Sequence, residues 1–170
     1  MTQIPWAERR FEFNFPDGIH PELIERLRGT PARMADRLAN LPPDRLTHRP
    51  ARGWSIQQHC GHLGDLDRTL FMLRLDEYAR GAELLTRADM ENRVTEEAGH
   101  NGRPFAAVLA GVRDARRAVI ERLERLDPAD FTRVALHPRL QRPMRLLDLM
   151  FFQAEHDDYH LARITGLLGN

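Results

Sequence analysis

The sequence predicts an all-α protein, a four-helix bundle with a short extended arm at its N-terminus. Four long segments repeat apolar residues at the three- and four-residue spacing of amphipathic helices. No pair of alternating segments indicates two neighbouring strands. The chain has 170 residues, of which 42% are hydrophobic, and this length suits one domain with its own core. We expect residues 1–18 to form the arm and residues 19–170 to form the bundle.

The arm is predicted from the segment FEFNF, in which Phe11, Phe13 and Phe15 alternate with polar residues. A period of two residues is typical of an extended chain, whose side chains point alternately to opposite sides. The three rings would either cover the protein's own core or form the contact arm of a homodimer. Both arrangements agree with the sequence, and the cover is the simpler one.

The first two helices have recognisable ends. The first is predicted over about residues 20–40, with Pro21 in its first turn and the sequence LPPD at its end. The second begins after Ser55, because Ser55 and Gln58 have the spacing of a capping box. Its apolar pattern continues to about residues 78–80, where a glycine follows.

The second half of the chain predicts two more helices separated by long connections. Residues 82–103 are polar and irregular, with a short helix around residues 89–97. The third long helix is expected over about residues 104–126, and a proline-containing connection follows over 128–142. The fourth is expected to open at a proline and to run over about residues 143–168.

Charge and composition exclude several classes of function. The 25 basic and 25 acidic residues give no net charge, and neither half is strongly basic, so nucleic acid is not an expected partner. No apolar run approaches the roughly 20 residues that a membrane span needs, and MTQIPWAERR lacks the apolar core of a signal peptide. The single cysteine, Cys60, allows no internal disulfide and fits a reducing compartment. We therefore expect a soluble cytoplasmic protein. The expected partner is a small-molecule substrate.

The sequence EHDDYH places His156 and His160 four residues apart in the fourth predicted helix. Because each residue turns a helix by about 100°, both imidazoles fall on the side of Leu149 and Ile164, towards the bundle interior. They could hold a metal ion, or they could be structural histidines satisfied by neighbouring polar groups. The segment is not HExxH, and Glu155 lies away from the histidine face, so a metalloprotease is not supported.

The second predicted helix carries His59 and His62 on its inner half. Either of them, with His156 and His160, would make three imidazole ligands and leave coordination positions open for water or substrate. A helical projection puts His59 near the centre of the apolar face and His62 at its margin, which slightly favours His59. Cys60 points about 160° away from His62, and we predict a small buried side chain there.

Two segments resemble the DinB-like superfamily, which includes the YfiT-like bacillithiol transferases and mycothiol-dependent relatives. The first is GWSIQQHCGHLGDLD, in which Trp54 and Ser55 precede His62 at the spacing of the family's second helix. The second is AEHDDYHLARI, which resembles the HxxxH of the family's last helix. The resemblance extends over about residues 19–168.

The resemblance implies a DinB-like four-helix bundle with a divalent metal ion held by His62, His156 and His160. It therefore selects His62 over His59. Zn²⁺ and Ni²⁺ both accept imidazole ligands. The implied activity is S-transfer of a low-molecular-weight thiol, such as bacillithiol or mycothiol, or a hydrolysis. The alternative is a non-catalytic stress-response protein that binds a metal or another ligand.

Four further residues are candidates for supporting roles. Asp65 could hold a ligand or a bound water, or it could lie on a solvated face. Asn92 and His100 fall in the 82–103 connection, which could cross the mouth of the bundle, and His100 could take part in proton transfer. Arg139 lies in the other long connection and could meet an acidic cosubstrate.

Overall fold

The computed structural model describes residues 3–169 and confirms the all-α bundle. Its helices are α1 (His20–Leu38), α2 (Pro43–Thr47), α3 (Ile56–Leu66), α4 (Met72–Ala79), α5 (Arg93–Glu97), α6 (Phe105–Glu124) and α7 (Leu146–Leu168). Strands β1 (Val134–His137) and β2 (Arg142–Arg145) form a hairpin before α7. Single 3₁₀ turns lie at Trp6–Glu8, Asp17–Ile19, His100–Gly102 and Pro128–Thr132.

Helix α3 begins at the predicted cap. The hydroxyl of Ser55 accepts a hydrogen bond from the Gln58 backbone N–H at 3.1 Å, and the Gln58 side chain accepts one from the Ser55 N–H at 3.1 Å. A π-helical turn, Asp67–Phe71, then joins α3 to α4, so that α3 and α4 make the second long segment of the bundle. Such turns inside helices are frequent near functional sites.

The long segments pack closely on one another. Helix α3 lies against α6, and α1 lies against both α6 and α7. The approach of α3 to α6 depends on Gly64, because a Cβ atom there would lie 3.1 Å from the Cα of Val112. Apolar side chains fill the interior, among them Leu27, Leu63 and Leu123, which are fully buried.

A buried ion network joins the long segments of the bundle. The guanidinium of Arg116, on α6, donates to Asp67 Oδ2 at 2.7 Å and to Asp157 Oδ2 at 2.6 Å, and all three side chains are almost fully buried. The hydroxyl of Thr30, on α1, donates to the same Asp157 oxygen at 2.8 Å. Two buried carboxylates without a cation would cost several kcal/mol, so Arg116 holds the segments together.

Arg116 also explains how α1 continues through Pro31, which lies inside the helix. Pro31 has no N–H to donate to the carbonyl of Leu27, four residues earlier. Nη1 of Arg116 lies 2.8 Å from that carbonyl oxygen and takes the place of the missing donor. The buried ion network therefore also repairs a defect in the helix it contacts.

The connection before α7 contains the β-hairpin that the sequence did not predict. Leu136 of β1 lies opposite Pro143 of β2. The N–H and C=O of Leu136 bond to residues 83–85 on its other side, so the ladder needs no N–H from Pro143. The expectation that α7 opens at Pro143 is therefore wrong, and the helix begins at Leu146.

The aromatic residues of the arm pack on α7 of the same chain. Phe13 is buried. The ring centroids of Phe15 and Phe151 are 4.5 Å apart, and those of Phe11 and Phe152 are 5.0 Å apart. The arm therefore covers the chain's own core, and a contact with a second copy remains a prediction.

Two further segments, around α2 and α5, also differ from the prediction. The short helix α2 was not expected, although Pro43 suits a first helical turn. Helix α5 begins at Arg93 rather than near residue 89, because the Asp89 carboxylate accepts hydrogen bonds from the backbone N–H groups of Glu91 and Arg93. Across residues 3–169, no helix has the length and apolar character that crossing a bilayer requires.

Candidate metal centre

Three buried histidines from two helices converge at one pocket. His62 comes from α3, and His156 and His160 come from adjacent turns of α7. Each offers a ring nitrogen, and these three nitrogens lie within 4.8 Å of one another. The Nε2 atoms of His156 and His160 are 3.1 Å apart, close to the roughly 3.3 Å between two ligands of one tetrahedral ion at about 2.05 Å. The structure thus brings together the three residues that the resemblance selects.

The three imidazoles are neutral near physiological pH. Burial, and then the neighbouring His156, lower the pKa values of His62 and His160 well below the usual range. Burial, with Arg139 as the next cause, lowers the pKa of His156 to about 3. A neutral imidazole keeps the lone pair that a metal ion requires, so the cluster is ready to bind a cation without first losing protons.

Hydrogen bonds select the nitrogen that His62 directs to the cluster. Its Nδ1 lies 2.9 Å from Oγ1 of Thr95, and the Thr95 hydroxyl donates to Oδ2 of Asp65 at 3.2 Å. Because the hydroxyl has one proton and gives it to Asp65, Nδ1 of His62 must be the donor in the other bond. Nε2 of His62 therefore carries the lone pair, and the ring has a fixed orientation.

Asp65 anchors this chain of hydrogen bonds. Its Oδ2 lies 2.7 Å from Nε2 of His100, and its Oδ1 accepts a hydrogen bond from Arg68 at 2.9 Å. Burial alone would raise the pKa of Asp65, but His100 and Arg68 outweigh burial and lower it. Asp65 is buried rather than on a solvated face, and it lies behind His62 through Thr95. His100 is buried beside Asp65 and does not line the pocket mouth.

His59 contacts the cluster from the side and is not one of the three. Its Nδ1 lies 2.9 Å from Nδ1 of His160, while Nε2 of His160 faces His156. Burial, together with the charge of Arg163, lowers the pKa of His59 to about 4, so this ring is also neutral. The helical projection slightly favoured His59 as a ligand, whereas the geometry favours His62 and gives His59 the position of a support.

The cluster opens into a pocket of about 700 Å³. Two indoles flank the histidines, since the ring centroid of Trp54 is 4.7 Å from that of His62 and the centroid of Trp6 is 4.8 Å from that of His156. Trp6 belongs to the arm, which therefore forms part of the pocket wall. Further lining side chains include Leu66, Leu70, Met90, Asn92, Phe152 and Tyr159.

The pocket wall is positively charged although the whole chain has no net charge. Its charged side chains, other than histidine, are Arg74, Arg87, Arg139, Arg163 and Asp89. Four positive charges and one negative charge give a formal charge of +3. Both oxygens of Asp89 already accept backbone hydrogen bonds at the start of α5. Within residues 3–169, none of these four arginines forms an ion pair, so the positive charge is available to a ligand.

The remaining sequence candidates separate into lining and buried residues. Asn92 and Arg139 line the pocket. Cys60 is buried as predicted and lies outside the pocket, and burial raises the pKa of its thiol to about 12. Sequence reasoning missed Thr95 in the short helix α5 and His137 at the end of β1, because neither element has a long apolar pattern that would mark the direction of its side chains.

The fold and the site define a class of helical bundle proteins in which histidines from two helices meet at an internal pocket. A comparison with family models then identifies the family. The model of the DinB superfamily matches residues 26–164, which is most of the chain, and the chain belongs to that superfamily. The predicted family is thereby confirmed.

Two solved structures share the fold. One is YfiT from Bacillus subtilis, which is described as a probable metal-dependent hydrolase with an unusual four-helix bundle topology. It is 20% identical in sequence, and the match has a TM-score of 0.73 and covers 94% of this chain and 91% of the YfiT chain. The other is the mycothiol-dependent maleylpyruvate isomerase, 11% identical, with a TM-score of 0.68 over 88% of this chain and 60% of its own. No curated protein matches the sequence.

Proposed function

We propose that this protein is a divalent-metal-dependent enzyme that transfers a low-molecular-weight thiol, such as bacillithiol or mycothiol, to an electrophile. His62, His156 and His160 would be the metal ligands. The observation that supports the proposal best is the meeting of three neutral imidazoles at one pocket. Three protein ligands are typical of catalytic sites, because they leave a coordination position for a substrate.

The residues fit a divalent cation. All three donors are neutral imidazole nitrogens, which both Zn²⁺ and Ni²⁺ accept. The hydrogen bond from His62 to Thr95 provides the outer support that metal-binding histidines commonly have. When bound, such a cation supplies Lewis acidity, which lowers the pKa of a coordinated thiol so that thiolate forms near neutral pH.

The surrounding side chains suit that chemistry. The indoles of Trp6 and Trp54 exclude water from the two sides of the cluster. The Thr95–Asp65 pair keeps His62 in a single orientation. The arginines of the wall favour an anionic form of the substrate over its neutral form, because opposite charges nearby stabilise the ionised state.

Hydrolysis is the second reaction class, and it is the one for which YfiT is described. A hydrolase benefits from an acid or base that takes a proton from water and returns it to the leaving group. Among the described residues, Asp89 is the only carboxylate that lines the pocket, and both its oxygens already accept backbone hydrogen bonds. In thiol transfer the thiol proton is released to solvent when the thiolate forms, and an anionic leaving group needs no proton returned to it. The lack of a free carboxylate among the described lining residues therefore supports thiol transfer.

The test combines elemental analysis with a screen for turnover. We expect about one divalent ion per chain and thiol-dependent turnover of chlorodinitrobenzene or monochlorobimane, with esters assayed in parallel. His156→Ala and His160→Ala should each abolish metal binding and turnover, while His59→Ala should keep most of the metal. The exposed His48→Ala is the matched control and should change neither.

Three other outcomes of this test would each change the proposal in a different way. Less than about a tenth of a metal equivalent, with no rise in melting temperature on adding Zn²⁺ or Ni²⁺, would overturn the metal site. Turnover of esters alone would replace thiol transfer by hydrolysis. A stoichiometric ion without turnover of either kind would instead support a non-catalytic metal- or ligand-binding protein of the stress response.

A further inference from the structure

We propose that His137 and Arg139 form a subsite for a carboxylate group of the substrate, beside the three-histidine cluster. The inference rests on the proposed function in taking the bound molecule to be the substrate. The binding of the carboxylate itself requires no metal ion. The argument starts from two buried N–H groups of the pocket wall that have no acceptor.

His137 supplies the first unused donor. The backbone N–H of Leu140 donates to Nδ1 of His137 at 3.2 Å, so Nδ1 is an acceptor and the proton resides on Nε2. Nε2 is buried and has no hydrogen-bond partner in the part of the chain that the structure describes. The side chain is 2% exposed and lines the pocket. Burial, with Arg74 as the next cause, lowers its pKa to about 3, so the ring remains a neutral donor.

Arg139 supplies the second unused donor and a positive charge. Its Nη1 donates to the carbonyl of Trp6 at 3.3 Å, whereas its Nη2 is buried and has no partner among residues 3–169. The Arg139 guanidinium carbon lies 5.2 Å from the ring centroid of Phe152, and the His137 ring centroid lies 5.1 Å from the same ring. Both donors are therefore held against one aromatic side chain.

A second fixed cation lies in the same wall. Arg74, on α4, is 4% exposed and lines the pocket, and its Nε and Nη2 donate to the carbonyl of Thr86 at 3.1 and 2.8 Å. Its charge has no ion-pair partner among the described residues. His137 Nε2 and Arg139 Nη2 lack an acceptor, and neither Arg139 nor Arg74 forms an ion pair among the described residues, so the wall favours a ligand group that offers acceptor oxygens and a negative charge. A carboxylate meets both requirements, and a neutral group does not.

The subsite is close enough to the cluster for one small molecule to reach both. The ring of Trp6 contacts the two, because its centroid is 5.4 Å from the guanidinium carbon of Arg139 and 4.8 Å from the ring centroid of His156. Phe152 and His156 also lie one turn apart on α7. We therefore expect a substrate that carries its carboxylate a few bonds from the atom that meets the histidines.

Calorimetry with matched ligands tests the subsite without requiring turnover. Succinate should bind to the protein, with and without metal, at least about tenfold more tightly than succinamide does. Arg139→Gln and His137→Phe should each remove most of that preference. Arg142→Gln alters an exposed arginine of the same hairpin that does not line the pocket, so it should keep the preference. Thermal melting checks that each variant folds.

A second pair of ligands separates this inference from the proposed function. On metal-loaded protein, Arg139→Gln should weaken mercaptosuccinate about tenfold or more and leave 2-mercaptoethanol unchanged. Succinate binding that survives the loss of metal and turnover would keep the subsite and overturn only the thiol transferase. Equal affinity of wild-type protein for succinate and succinamide would overturn the subsite and show that only water satisfies the two donors. Because it uses wild-type protein, the comparison of succinate with succinamide can overturn the subsite even if a variant does not fold.

Discussion

Thr95 links His62 to Asp65 through one hydroxyl group, which accepts a hydrogen bond from the imidazole and donates one to the carboxylate. The residue does not line the pocket, so its substitution changes the support of the cluster without changing the surface that meets the substrate. At the scale of single residues, a substitution of Thr95 therefore changes how His62 is oriented and leaves all three histidines in place.

Thr95→Val should lower metal affinity by about 10- to 100-fold, because valine keeps the shape of threonine and loses both hydrogen bonds. Competition with a chromogenic chelator measures the change. Thr69→Val is the matched control, since the Thr69 hydroxyl bonds to the backbone carbonyl of Asp65 at 2.8 Å and, among the described residues, to no histidine. Equal affinity in the two variants would show that the Thr95 hydroxyl does not support His62.

At the scale of an element, the packing of α3 depends on small residues. Gly61 is an example. A Cβ atom at Gly61 would fall on the imidazole of His100, well inside van der Waals contact. His100 in turn holds Asp65 at 2.7 Å. The absence of a side chain at Gly61 is therefore what allows the 3₁₀ turn at residues 100–102 to lie against α3.

Gly61→Ala should destabilise the protein by about 1–3 kcal/mol, because the strain of overpacking exceeds the gain in helix propensity. Gly29→Ala provides the control on α1, where a Cβ meets nothing within 4 Å, and it should stabilise by about 0.5–1 kcal/mol. Urea unfolding of both variants measures the two changes. A stabilised Gly61→Ala would mean that His100 moves aside at little cost.

The joint between α6, α7 and the π-helical turn depends on Arg116. Arg116→Met should destabilise by about 3–5 kcal/mol, since it leaves Asp67 and Asp157 buried without a cation. Arg117→Met removes a neighbouring arginine that is 67% exposed, and it should change stability by about 1 kcal/mol or less. Similar unfolding free energies for the two variants would contradict the role assigned to the buried network.

At the scale of the whole molecule, the buried histidines make stability depend on pH. Burial lowers the pKa values of five of them, His59, His62, His137, His156 and His160, below the value of 6.5 that they have when unfolded. Below that pH the unfolded chain takes up protons that the folded chain does not. Stability is therefore present above pH 6.5 and is lost as the pH falls towards the folded values, about 4 for His59 and about 3 for His137 and His156.

Each such histidine contributes a loss of up to about 1.4 kcal/mol per pH unit within this window. Asp67 opposes part of the loss, because burial raises its pKa and the folded state therefore gains this proton before the unfolded state does. Urea unfolding of metal-free protein should show a nearly constant free energy above pH about 6.5 and a fall below it. His137→Phe should reduce the slope, whereas the exposed His48→Gln should not. A free energy that rises on acidification would contradict the prediction.

The bundle could be predicted from the sequence because its helices have strong apolar periodicity and local end signals. Ser55 and Gln58 are the clearest case, since a capping box depends on only four neighbouring residues. The hairpin could not be found in this way. Pro143 is typical of a helix start, and it fits β2 only because Leu136 bonds to a distant segment.

The histidine cluster could be predicted only in part from the sequence. His156 and His160 share a helical face, so their common direction follows from the period of the helix. The choice of His62 over His59 came from the family resemblance, because the two positions differ by a hydrogen bond to Thr95, 33 residues further along the chain. The subsite at His137 and Arg139 depends on tertiary contacts with Phe152 and Trp6, for which no local pattern exists.

The presence of Trp6 in the pocket wall has a consequence for anyone who handles this protein. The segment that carries Trp6 precedes the first bundle helix and packs on α7, and its indole touches both His156 and Arg139. An affinity tag fused ahead of this segment, or a proteolytic cut within it, would alter ligand preference while every histidine stayed intact.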